Sequence, residues 1–236
     1  MAHASTLQTL SDLSEDQWGM FTRRQAEAVG LAWTTLSRLA HGGAAERVAH
    51  GVYRLRGTPP ADHLLLRAAW LQLAPDVPAW ERQPEQGVIS HRSAASLYGL
   101  GHLPADVHEF ILPTRRQSRR SDVRLHRSML APGEWIDLRG LLVTRASRIA
   151  TDLLADHEDP QAVGHVIADS LRQVFDYPGT TAAALGPQAR RFGLESGDGL
   201  ALLAWLLDLT GAPERDAWLA EARASLAREQ EGGNRS

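Results

Sequence analysis

Thr34, Thr35, Ser37, Arg38 and His41 lie close together on one short stretch of the chain. Small hydroxyls, one guanidinium and one imidazole can reach base edges and phosphate oxygens without steric conflict. On a helix laid in a major groove, such a set can read duplex DNA. Leu36, Leu39 and Ala40 share the stretch. Their i, i+3, i+4 spacing gathers them into one buried stripe and leaves the polar set pointing away. Trp33 opens the same stretch and joins the candidate DNA-contacting set, with Thr22, Arg23 and Arg24 before it and Arg47, His50 and Arg54 after. A second basic run, Thr114-Arg115-Arg116-Gln117-Ser118-Arg119-Arg120, lies further along. Arg115, Arg116, Arg119 and Arg120 suit phosphate, which positions a protein on a duplex while base contacts specify the sequence.

These groups need a frame. Thr22 is a good N-cap for a short helix over Arg23 to Val29. Gly30 can end it in the left-handed conformation. A second helix is expected from Ala32 to His41, stopped by Gly42-Gly43. Ala45 to Ala49 and Val52 to Leu55 flank His50-Gly51, a tight hairpin turn. Strand stub, two short helices and a hairpin follow the order of a winged helix-turn-helix. The same shape also serves as a protein-docking module. Residues 1–60 hold six Arg against five acids, a thin excess for a DNA binder. Asp12, Glu15 and Asp16 precede the motif, however, so the proposed groove face is more basic than the count.

The wider frame is read as helix-rich α+β. A winged helix-turn-helix over 1–58 precedes a second domain over 61–236, mixed α/β to about 173 and helical beyond. A helix is expected at 5–14. Gly57-Thr58-Pro59-Pro60 reads as the linker, because Pro-Pro ends regular structure. Ala61 to Leu73 should be helical, and Pro75 to Gly87 a loop. Ser90 should cap a helix to Tyr98, closed by Gly99. Strands are expected at 106–112, 123–127 and 141–143. Thr144 should cap a helix to Asp156, and Pro160 opens another to about Gln173. Helices at 200–209 and 214–228 follow, and Glu231 to Ser236 should fray.

The chain has 236 residues, 43% of them hydrophobic, enough for two modest domains or one large one. No run of about 18 apolar residues suggests a membrane span, and the N-terminal stretch lacks the pattern of a signal peptide. Absence of Cys removes disulfides and thiolate metal sites. A cytoplasmic bacterial protein is the expectation. All 25 basic residues are Arg, whose fork binds phosphate bidentately. Residues 88–150 hold ten Arg against five acids, whereas 151–236 hold seven against fourteen. A basic middle and an acidic end suggest different partners for each.

Catalytic and metal chemistry find little support. His91, His102, His108 and His126 match no familiar zinc spacing, and Ser90-His91 are helix neighbours expected to point apart. The carboxylates after 172, such as Asp176, Glu195, Asp198 and Asp208, lie on a helical background. A metal-dependent nuclease needs them clustered. Gly197-Asp198-Gly199 is no Walker loop. No catalytic residue, metal or cofactor is expected.

The stretch FTRRQAEAVGLAWTTLSRLAHGGAAERVAHGVYRL resembles the N-terminal winged-helix domain of AbiEi-type antitoxins of type IV toxin–antitoxin pairs. Its marks are Phe21-Thr22, Gly30-Leu31, Leu36 to Gly43 and Gly51-Val52-Tyr53. Position 32, often a capping Ser in such proteins, is Ala here, followed by Trp33. Downstream, 89–100, 123–128 and 140–154 are similar to the next domain of the same family. The resemblance implies a non-enzymatic repressor that binds double-stranded operator DNA upstream of its own gene. It also implies opposition to a nucleotidyltransferase-type toxin, by direct contact or otherwise. The alternatives are a stand-alone winged-helix transcription factor with a ligand- or protein-binding second domain, and an enzyme targeted to DNA.

Overall fold

A computed structural model describes residues 2–59 and 61–233. Pro60 of the expected linker and 234–236 of the expected frayed end lie outside the described residues. The fold is helix-rich α+β with two small sheets. Its chain contacts divide it into two compact units, 1–89 with 110–130 and 137–143, and 90–109 with 131–136 and 144–236. The first takes in much more than residues 1–58.

The first unit begins with helix α1 (Ala2–Glu15), strand β1 (Met20–Thr22), helices α2 (Arg23–Ala28) and α3 (Trp33–His41), and strands β2 (Ala45–Ala49) and β3 (Val52–Leu55). The strands form an antiparallel sheet in the order β1-β3-β2. Thr22 opposes Val52 and Met20 opposes Arg54, while β2 carries an irregularity between Arg47 and Ala49. Leu10, Phe21, Leu36, Leu39, Tyr53 and Leu55 close one apolar core, with the Phe21 and Tyr53 rings stacked at 6.0 Å. Thr22 caps α2 as expected. Its hydroxyl accepts from the Gln25 amide at 3.1 Å, and the Gln25 side chain answers the Thr22 amide at 2.9 Å, a reciprocal capping box. Gly30, at φ 85°, ends the helix in the left-handed region.

Helix α4 (Leu64–Leu73) starts later than expected because His63 takes a left-handed φ of 54° at its N-cap. Burial of His63, then the Arg67 charge, hold its imidazole below its ordinary range. Arg82 closes the other end of α4. It is 4% exposed, stacks on Trp70 at 4.7 Å, and donates to the carbonyls of Trp70, Leu71 and Ala74 at 2.7–2.8 Å. Desolvation lowers its guanidinium to about 10, which leaves it charged at neutral pH. A cation on unpaired C-terminal carbonyls is a favourable cap.

Strands β4 (Val88–Ile89), β5 (His108–Leu112), β6 (Val123–Arg127), β7 (Trp135–Leu138) and β8 (Leu141–Thr144) make the second sheet, in the order β6-β5-β4-β8-β7. Strand β4 pairs antiparallel with β5 and parallel with β8, Ile89 opposing Phe110 and Val143. Neither β4 nor β7 was expected. Two residues are too short to show alternation, and β4 exists because both neighbours bury it.

The second unit holds helices α5 (His91–Tyr98), α6 (Ala146–Ala155), α7 (Pro160–Arg172), α8 (Pro178–Leu185), α9 (Gly199–Thr210) and α10 (Arg215–Gly233). Leu202, Leu203, Leu206 and Leu207 of α9 are fully buried. A Cβ added at Gly164 would lie 2.5 Å from the Leu206 carbonyl oxygen, so α7 and α9 cross closely there. Two capping expectations are corrected. Ser90 makes no side-chain cap; the Glu109 carboxylate accepts from the Arg92 amide at 3.0 Å instead. Thr144 is buried at a strand end, and Asp176 accepts from the Ser147 amide at 3.0 Å. Carboxylates from distant segments satisfy these helix starts more strongly than a neighbouring hydroxyl would. Residues 231–233, expected to fray, continue α10.

Candidate nucleic-acid interface

Helix α3 presents the polar face the spacing requires. Leu36 and Leu39 are buried, while Thr34, Arg38 and His41 are exposed and Thr35 and Ser37 half-exposed. Ala32 stands at its N-cap without a side-chain hydrogen bond. The His41 Nδ1 lies 2.8 Å from the Ser37 carbonyl oxygen. Arg38 is exposed and has no hydrogen-bond or ion-pair partner among the described residues.

Around α3 the other expected groups differ sharply in how available they are. Trp33 is 43% exposed, and the Arg23 guanidinium lies 4.4 Å from its ring centre while pairing with Glu27 at 2.7 Å. Arg24 pairs with Asp76 at 3.1 Å, both well exposed. Arg47 and His50, on the hairpin, are exposed and 2.9 Å apart. The hairpin turn is tied at two points: the Gly51 carbonyl accepts from the Arg23 amide at 2.8 Å, and the His50 carbonyl from Gln72 of α4 at 2.7 Å.

Two residues expected at the interface have structural work instead. Thr22 is 1% exposed, with its hydroxyl spent on the capping box and on the Pro75 carbonyl. Arg54 is largely buried, donating to Thr58 Oγ1 at 3.0 Å and the Thr58 carbonyl at 2.8 Å beside Glu46. The polar atoms of both side chains are engaged within the protein.

The basic run divides the same way. Arg116 donates to the Leu73 carbonyl at the end of α4 at 2.6 Å. Arg120 grips Asp122 through two nitrogens and Gln72 through a third. The Asp122 hydrogen bond holds its guanidinium above its ordinary range, against partial burial. Arg115 and Arg119 stand exposed with no partner among the described residues. Arg23, Arg24, His50, Gln72 and Arg120 line one open groove of about 730 Å³. Sequence reasoning missed Gln72 and Asp76, which meet Arg120 and Arg24 only through folds of the chain, and Glu27, whose i,i+4 spacing from Arg23 was a local signal for their pair.

The Ser90 and His91 side chains, expected to point apart, meet at 2.9 Å, because His91 takes φ 52° rather than helical geometry.

Residues 8–56 match the family model described as transcriptional regulator, AbiEi antitoxin. The AbiEi match spans α1 through β3, the segment that carries the exposed face of α3. No curated protein matches the chain. Among solved structures, the RV2827C protein from Mycobacterium tuberculosis is similar, with a TM-score of 0.51 and 16% identity. The alignment covers 90% of this chain and 80% of that one. At that identity the likeness is one of fold. No helix among the described residues is long and apolar enough to cross a membrane.

Proposed function

We propose that this chain is a DNA-binding transcriptional regulator of the antitoxin type. It reads an operator upstream of its own gene through α3, with β2–β3 as the wing, and represses its own operon. The observation that carries the reading is the α3 surface: Thr34, Arg38 and His41 exposed over a buried Leu36–Leu39 stripe, inside the segment that matches the AbiEi regulator family. Hydroxyl and guanidinium groups read base edges, and an exposed, unpaired Arg38 suits a guanine. Trp33, Arg23, Arg24, Arg47 and His50 flank this face and would position the duplex through its phosphates.

The same family supports a second half to the proposal: the protein counteracts a nucleotidyltransferase-type toxin encoded beside it, without catalysis of its own. The second unit holds ten Arg against seventeen acids, so like charge makes DNA a poor partner for it. A basic protein surface is electrostatically better matched. A reporter driven by the native upstream region tests the regulatory half. Repression by the full chain, relieved by Arg38→Ala, is expected; equal repression by both excludes α3 as the reader. Growth of cells expressing the neighbouring nucleotidyltransferase tests the other half, and failure of the full chain to restore growth rejects it.

A further inference from the structure

We propose that the groove lined by α2, the hairpin turn and Gln72 of α4 carries a strand of duplex DNA onward to a second phosphate anchor, Arg115 and Arg119. This rests on the DNA-binding reading above and extends the contact beyond the recognition helix and hairpin. A run of arginines between two strands is usually a solvated tip. This one is built differently. Arg116 is fixed to the carbonyl end of α4, and Arg120 is clamped between Gln72 and Asp122. The Ser118 hydroxyl accepts from the Arg120 amide at 3.1 Å. Two arginines are spent holding the loop, and the two between and before them are left exposed.

The anchor adjoins the reading head. Gln72 fastens both: its amide nitrogen donates to the hairpin turn at His50, and its amide oxygen accepts from Arg120. The groove of about 730 Å³ and a smaller recess of about 190 Å³ along Leu73 and residues 116–120 share Gln72 and Arg120 in their walls. Charge pairing separates the two ends. Arg23 is matched by Glu27, Arg24 by Asp76 and Arg120 by Asp122. Arg115 and Arg119 have no carboxylate partner among the described residues, so their charge is available to neutralise phosphate. A loop already fixed at Arg116 and Arg120 loses less entropy on binding than a free one, which favours a designed contact over a passing one.

The test is a salt titration of the full chain and its Arg115→Gln/Arg119→Gln double variant on the native upstream duplex and a scrambled duplex. Each phosphate contact contributes roughly 0.9 to the slope of log K against log salt. The double variant should lower the slope by about 1.8 on both duplexes, because phosphate contacts carry no sequence information. A matched control, Arg223→Gln/Arg228→Gln in the second unit, removes the same net charge from exposed positions and should leave the slope unaltered. An unchanged slope in the loop variant overturns the inference, as does an equal fall in the control. If Arg38→Ala still loses discrimination between the duplexes in that case, the recognition helix keeps its role and only the anchor falls. If the unaltered chain binds neither duplex, both readings fail together.

Discussion

At the scale of single residues, burial sets two arginines apart. Arg38 is exposed on α3 without a partner among the described residues, whereas Arg82 is buried and holds three carbonyls at the end of α4. Arg38→Ala should weaken operator binding by about 1–3 kcal/mol while the circular dichroism spectrum and unfolding midpoint stay put. A shifted midpoint would make Arg38 structural. Arg82→Leu should do the reverse. It strands buried acceptors, each costing about 1–3 kcal/mol when left unsatisfied, so denaturant unfolding should show a loss of about 3 kcal/mol. A loss below about 1 kcal/mol would mean that water replaces the guanidinium. The sequence distinguishes these residues poorly. Both are arginines beside aliphatic runs, and what differs is whether a later turn folds the side chain back onto a helix end.

At the scale of elements, helix starts are where the chain is most telling. Thr22 is legible as an N-cap from the sequence, and the structure adds Gln25 as its reciprocal partner in a capping box. The starts of α5 and α6 use Glu109 and Asp176, from distant segments, and could not be read locally. The start of α4 carries a pH response. His63 is pushed below its ordinary value of 6.5 by burial and by Arg67. The unfolded chain therefore takes up a proton before the folded one does. His63 contributes no penalty above pH 6.5, and stability falls as pH drops from there through the lowered folded value. Urea unfolding of the native protein and of His63→Gln should converge near neutrality, after allowing for any constant offset. The native protein should then lose more stability as the solution is acidified. Parallel pH profiles would contradict a depressed His63.

At the scale of the whole molecule, the first unit was the harder part to foresee. The helices and hairpin of residues 22–55 emerged at nearly the expected bounds, because N-caps, glycine stops and apolar spacing are local signals. The long reach of the first unit did not, because it depends on buried polar contacts far apart in sequence. Gln17 and Gln25 are almost fully buried. Gln25 donates to the Val77 carbonyl at 3.1 Å, and Gln17 accepts from the Ala79 amide at 2.9 Å. A fragment of residues 1–58 leaves those side chains without these partners, so it should unfold at a much lower denaturant concentration than the full chain and bind DNA more weakly. Cooperative unfolding of the fragment at the full-length midpoint would show that these contacts stabilise nothing. The candidate interface could be named by residue type, yet which side chains the fold engages could not: Thr22 and Arg54 turn inward, and Arg116 and Arg120 fasten the loop. The most direct measurement of the central claim is an anisotropy titration of the full chain with its own upstream duplex and with a scrambled duplex of equal length, at physiological salt, repeated with Arg38→Ala. The unaltered chain should bind the native duplex at least a thousandfold more tightly, on the order of specific regulators, and Arg38→Ala should remove much of that difference. Equal affinity of the unaltered chain for both duplexes would contradict a sequence-reading role for α3.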